Sequence, residues 1–87
     1  MEKEQLLEIV GYVKVSDYRT NTLKFIGNSR KMPSEIAKHL GVGTSHASNI
    51  LRALKKYDLV VCSNPNARKG RLYANTPLAH EVLENLD

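Results

Sequence analysis

Three groups of side chains in this 87-residue sequence have the chemistry to hold a negatively charged partner. The first is the run Thr44, Ser45, His46, Ser48, Asn49, Arg52, Lys55 and Lys56, whose polar and basic residues interleave with Ala47, Ile50, Leu51 and Leu54. The second is Arg68, Lys69 and Arg71, set among turn formers, and the third is Arg30, Lys31 and Ser34, which precede or open a segment begun by Pro33. Guanidinium and ammonium groups pair with anionic oxygens, and hydroxyl and amide groups add directed hydrogen bonds. No spacing in the chain suggests catalysis, because one cysteine, three scattered histidines and a few aspartates do not combine into a nucleophile, a base and an orienting group. Cys62 cannot form an internal disulfide or supply a Cys-rich zinc site. No metal and no cofactor is expected.

The distribution of charge sharpens this reading. The net charge is +4, but residues 1–15 carry Glu2, Glu4 and Glu8 against Lys3 and Lys14, and residues 76–87 carry Glu81, Glu84 and Asp87 with no base. Both ends are therefore acidic. Between them Arg19, Lys24, Arg30, Lys31, Lys38, Arg52, Lys55, Lys56, Arg68, Lys69 and Arg71 face only Asp17, Glu35 and Asp58, a net +8. That concentration suits a polyanion-binding face, while the plainer reading of any basic stretch is a solvated surface.

Hydrophobic periodicity defines the elements that must position these groups. Leu6, Ile9, Val10 and Val13 recur at helical spacing from Lys3, and Leu7 and Tyr12 widen the stripe, so this helix should be buried on two sides. Ser16 and Asp17 open a second helix through Ile26 that stops at Gly27-Asn28, with the break between the two helices either a true end or a kink. Pro33 begins a short third helix with Ile36, Ala37 and Leu40 on its buried face, ended by Gly41. Gly43, Thr44 and Ser45 offer cap chemistry for a fourth, in which Ala47, Ile50, Leu51 and Leu54 make the inner stripe. Leu59 to Cys62 and Arg71 to Ala74 read as the two strands of a hairpin around the basic loop 63–71, and Thr76-Pro77 opens a last helix with Leu78, Ala79, Val82, Leu83 and Leu86 on one side.

Size and composition set the frame for these elements. A chain of 87 residues at 41% hydrophobic and 25% charged is enough for one domain with a small core and argues against an elaborate enzyme. The longest nearly apolar stretch, Ile9 to Val15, contains Gly11 and Lys14 and is far short of the roughly 20 residues of a membrane span. The acidic N-terminus lacks a secretory leader, so a cytoplasmic location is expected.

Pro33 to Leu54 fits a helix-turn-helix, with small Ala37 at the crossing, Gly41 free to take the positive φ of the turn, and Ile36, Leu40, Val42, Ala47 and Ile50 as a shared core. The segments SDYRTNTLKFI, PSEIAKHLGV, SHASNILRALKKYDLV, NARKGRLY and TPLAHEVLENL follow in order at suitable spacing. Over roughly residues 6–86 the sequence resembles the winged helix-turn-helix transcriptional regulators of the MarR and ArsR kinds, notably the short single-domain versions common in archaea. Two positions depart from that pattern. Met32 stands where a capping Ser or Thr is usual, an expected loss of about 1 kcal/mol, and Thr76-Pro77 replaces the usual Thr-Glu-Lys-Gly opening of the last helix.

The resemblance implies a mainly α fold with a small β-hairpin (α+β), about five helices and a two-stranded wing. It also implies binding of double-stranded DNA, with recognition helix 44–56 in a major groove and wing 63–71 on a minor groove or the backbone. On this reading Thr44, Ser45, His46, Ser48, Asn49 and Arg52 belong to the interface. Asn49 has the groups to pair bidentately with adenine, and Arg52 with guanine or with phosphate, the last favoured because Arg52 lies two turns into the helix. Arg68, Lys69 and Arg71 would serve at the wing, and Arg30, Lys31 and Ser34 would clamp backbone phosphate.

Other roles stay open for several of these residues. His46 and Ser48 can be solvent-exposed without touching a base, Arg71 can lay its stem on Tyr73, and Cys62 can be a small half-buried strand residue or a redox sensor. His39 and His80 read as surface residues, since metal sensing needs a ligand cluster. The apolar stripes of segments 1–15 and 76–87 exceed what so small a core covers, so these helices are expected to join a homodimer and hold two recognition helices roughly 34 Å apart. The competing reading is a winged-helix protein–protein interaction module without DNA binding. Such a module would more often carry aromatics on the exposed helix face than the polar and basic residues present here.

Overall fold

The computed structural model describes residues 2–86. In chain order it contains α1 (Lys3–Lys14), α2 (Asp17–Ile26), β1 (Arg30–Lys31), α3 (Pro33–Leu40), α4 (Thr44–Lys56), β2 (Val60–Cys62), β3 (Tyr73–Asn75) and α5 (Pro77–Glu84). The architecture is five helices and a small antiparallel sheet, the α+β winged-helix arrangement read from the sequence.

The break between α1 and α2 is a true helix end. Ser16 caps α2 by accepting the Arg19 N–H at 3.3 Å, and the Val13 carbonyl at the end of α1 accepts both the Ser16 N–H at 3.2 Å and the Thr20 hydroxyl at 2.9 Å. Helix α1 is less deeply covered than its pattern suggested. Val10 and Val13 are buried and Leu6, Ile9 and Tyr12 lie partly against the core, but Leu7 is 54% exposed. The second apolar side thus faces outward.

Helices α3 and α4 cross where Ala37, only 4% exposed, allows close approach, and Ile36, Ala47, Ile50, Leu51 and Leu54 fill the space between them and the rest of the core. Gly41 ends α3 at φ +72°, ψ +32°, and the Val42 N–H returns to the Ala37 carbonyl at 3.0 Å. That left-handed geometry is why glycine suits the turn. Met32 does precede α3 without an oxygen-bearing cap, yet the Glu35 carboxylate accepts the Met32 N–H at 2.9 Å, supplying one half of a capping box. Of the three cap candidates for α4, one serves. Gly43 takes that position and no side chain bonds to the first turn, so neither Thr44 nor Ser45 caps; both lie inside the helix and are exposed.

The expected hairpin forms, and a third strand joins it. The sheet order is β1-β3-β2, with Arg30 opposite Ala74, Lys31 opposite Tyr73, Val60 opposite Asn75 and Cys62 opposite Tyr73. Strand β3 starts at Tyr73, so Arg71 and Leu72 fall in the loop, although the Leu72 carbonyl still accepts the Ser63 N–H at 2.8 Å. Two side chains lock the sheet to the helices. From β3, the Asn75 amide donates to the carbonyls of Leu23 (2.8 Å) and Gly27 (3.2 Å) at the end of α2. Thr76 caps α5 through the Ala79 N–H (3.2 Å) while its hydroxyl donates to the Asp58 carbonyl (2.6 Å), steadying a non-glycine residue at φ +60°.

Candidate nucleic-acid interface

The outer face of α4 follows from helix geometry. At about 100° per residue, the buried Ala47, Ile50, Leu51 and Leu54 define one side, and the positions directly opposite are Ser45, Asn49, Arg52 and Lys56, all exposed. Thr44, Ser48 and Lys55 lie on the flank toward the wing. His46, Asn49 and Ala53 border the flank toward α2, where they line a cleft of about 250 Å³ with Ser16, Tyr18 and Arg19. The Arg52 guanidinium donates to the Asn49 side-chain carbonyl at 3.3 Å, so these two residues are joined.

Between α4 and the wing lies a groove of two adjoining parts. Its upper part, about 310 Å³, is lined by Ser48, Leu51, Arg52, Lys55, Arg71 and Tyr73. Its lower part, about 280 Å³, is lined by Met32, Pro33, Ser34, Thr44, Ser48, Arg68, Gly70 and Arg71. Ser48 and Arg71 belong to both parts. Six of the residues singled out from the sequence therefore line one part or the other: Arg52 the upper, Ser34, Thr44 and Arg68 the lower, and Ser48 and Arg71 both. Arg52, Lys55, Arg68 and Arg71 line the groove with permanent or near-permanent positive charge, which favours an anionic occupant.

The wing loop is held by its own polar groups. The Asn64 side chain accepts the Leu72 N–H at 2.7 Å and donates to the Gly70 carbonyl at 3.0 Å, and the Ala67 N–H closes a turn onto the Asn64 carbonyl. Arg71 Nε donates to the Ala67 carbonyl at 3.0 Å, which aims the guanidinium across the loop and into the groove it shares with Tyr73. Gly70 takes φ +66°, and a Cβ there would make only an ordinary contact with the Met32 sulfur at 4.0 Å, so the backbone conformation is what favours glycine.

The remaining candidates are dispersed. Lys69 is exposed on the wing, and Ser45 is exposed on the outer line of α4. Arg30 is exposed on β1, while its neighbour Lys31 lies half-buried with its ammonium 4.8 Å from the Phe25 ring centre. Neither lines the groove. His46 packs edge-on against Tyr18 at 5.0 Å, His39 stacks on Phe25 at 4.0 Å, and no group of metal-ligating side chains occurs among the described residues. Cys62 is buried, with its sulfur 3.6 Å from the Asn64 side-chain oxygen.

Lys55, one of the basic residues of the same helical run, also lines the groove, three residues after Arg52 and seven after Ser48 on one helix flank. One feature escaped the sequence reading. Arg19, Tyr12 and Tyr57 form a stack, with the guanidinium 3.8 Å from the Tyr12 ring and the two rings 3.9 Å apart. This contact joins residues 45 positions apart at the ends of α1 and α4, and no local pattern announces it.

A helix-turn-helix followed by a strand-loop-strand wing defines this as a winged-helix fold. More narrowly, the chain belongs to the O-methyltransferase dimerisation domain family, whose model matches residues 23–85. Among solved structures it is similar to the adhesin competence repressor (AdcR) of Streptococcus pyogenes, with a TM-score of 0.73 at 14% identity, over 97% of this chain and 69% of that one. At that identity the likeness concerns the fold. No curated protein matches the chain. No helix among the described residues is long and apolar enough to cross a membrane.

Proposed function

We propose that the protein is a homodimeric, sequence-specific DNA-binding transcriptional regulator of the MarR or ArsR kind, built as a single winged-helix domain. The observation that carries this reading is the groove in which Arg52, Lys55, Arg68 and Arg71 line the space between α4 and the wing. A major groove admits a helix such as α4 while the wing cations lie over an adjacent minor groove or backbone. Ser45, Asn49 and Arg52 face the base edges. Ser34, Thr44, Ser48, Arg68, Lys69 and Arg71 hold phosphate, with Arg30 and Lys31 at the margin and His46 beside the bases. The similarity to a structure described as a repressor is in keeping with this function.

Dimerisation is assigned to α1 and α5. Leu7 presents apolar surface to solvent and Leu6, Ile9, Leu78 and Leu83 are only partly covered, as expected of a face completed by a second copy. The family's description as a dimerisation domain supports the assignment. It equally favours a second reading, a module that joins subunits and does not contact DNA.

Duplex binding at increasing salt separates the two readings. With about five phosphates neutralised per subunit, log K for a dimer should fall with log salt at a slope near −9. Absence of duplex binding even at low salt, by a protein that sediments as a dimer, retires the DNA reading in favour of the second.

A further inference from the structure

Asn49 and Arg52, on the outer line of α4, have the length and chemistry to reach a base edge, and they are already bonded to each other. Arg52 Nη1 donates to Asn49 Oδ1 at 3.3 Å, both residues being exposed. The bond sets what the pair can offer a partner. The Asn49 carbonyl faces the guanidinium, which leaves its NH2 group as the amide's free edge, and the remaining Arg52 N–H groups are likewise donors. A surface of donors beside a fixed positive charge is presented outward.

Adenine and guanine differ in the groups that such a surface meets. Adenine places an N7 acceptor next to an N6 amino donor, so bidentate pairing with an asparagine needs both the amide N–H and the amide oxygen. Here that oxygen is engaged by Arg52, and an adenine amino group brought to it would set a partly positive NH2 against a guanidinium. Guanine places two acceptors, N7 and O6, side by side. Two acceptors match two donors without breaking the Asn49–Arg52 bond, and the adjacent charge strengthens both contacts.

We propose that Asn49 and Arg52 act as one bonded unit that reads guanine in the major groove. The inference rests on the DNA-binding function above and narrows it to a base preference, replacing the separate roles of Asn49 on adenine and Arg52 on phosphate. As a unit, the two residues govern the same base pair.

The test is selection of bound duplexes from a random-core library by the full chain and by Asn49→Ala, Arg52→Ala and the double variant. Both positions are exposed, so each variant should keep the fold, which a circular dichroism spectrum records. The expected profile has a G·C pair at one position. Each single variant relaxes that same position by about tenfold, and the double variant relaxes it little further. An A·T pair at the position lost in Asn49→Ala, or relaxation of two different positions by the single variants, overturns the inference while leaving DNA binding intact. A wild-type chain that enriches no duplex overturns the DNA-binding function itself, and this inference with it.

Discussion

Replacing Arg68 and Lys69 together by alanine removes two of the wing's three exposed cations without touching its framework, because the loop bonds run through Asn64, Ala67, Gly70, Arg71 and Leu72. The effect on DNA binding can be worked from the exposed cations in and around the groove. Arg30, Lys55, Arg68, Lys69 and Arg71 are exposed cations on the side of the wing, α4 and β1, giving about five phosphate contacts per subunit and about ten per dimer at a contribution near −0.9 each to the salt slope. The double substitution removes four charges from a dimer, so the slope should rise from about −9 to about −5. Fluorescence anisotropy of a labelled duplex, titrated at several salt concentrations, measures this directly. The loss should be similar for every duplex sequence, since phosphate contacts carry no base information. An unchanged slope, or a loss confined to one sequence, would mean that the wing does not lie on the backbone.

Thr76→Val keeps shape but removes the α5 cap and the bond to the Asp58 carbonyl. At about 1 kcal/mol for each, the urea midpoint should fall by the equivalent of about 2 kcal/mol at unchanged m-value, and a loss under about 0.5 kcal/mol contradicts the account. At Gly41 a Cβ would meet no atom within 4 Å, so only backbone conformation opposes a side chain. Gly41→Ala should therefore cost about 1 kcal/mol and Gly41→Asn less, because asparagine tolerates the left-handed region; equal costs in thermal melts would refute this. Leu7→Glu places a charge on the outward side of α1 and should shift the sedimenting species from dimer to monomer at micromolar concentration with little change in helix content. A variant that remains dimeric would exclude this face from the interface.

The parts of the fold legible in the sequence are those set by local chemistry. Ser16, Gly41 and Thr76 end or begin helices through groups within a few residues, and the stripe Ala47, Ile50, Leu51, Leu54 declares which side of α4 is buried. What escaped depends on partners far along the chain. Strand β1 is two residues long and exists because Arg30 and Lys31 meet Ala74 and Tyr73, so no periodicity can mark it. Asn75 carries no local signal, and its amide bonds the end of α2, about fifty residues earlier. The cap of α4 lay among Gly43, Thr44 and Ser45, and it falls on an extended Gly43 that does without a side-chain oxygen. At the interface, residue types singled out the right segments, but only three dimensions sort Thr44, Ser48, Arg52, Arg68 and Arg71 into one groove and set His46 on the other flank.

The grip of Asn75 on α2, together with the pairing of β1 and β3, has a mechanical consequence. The strand leading into α3, the base of the wing and the end of α2 are tied by bonds that would all have to break for the sheet to swing as a flap. The distance between the wing base and α4 is thereby built in, like the jaw setting of a fixed gauge. Differences in groove width from one target to another then have to be met by the exposed arms of Arg68, Lys69 and Arg71, or by bending of the target itself.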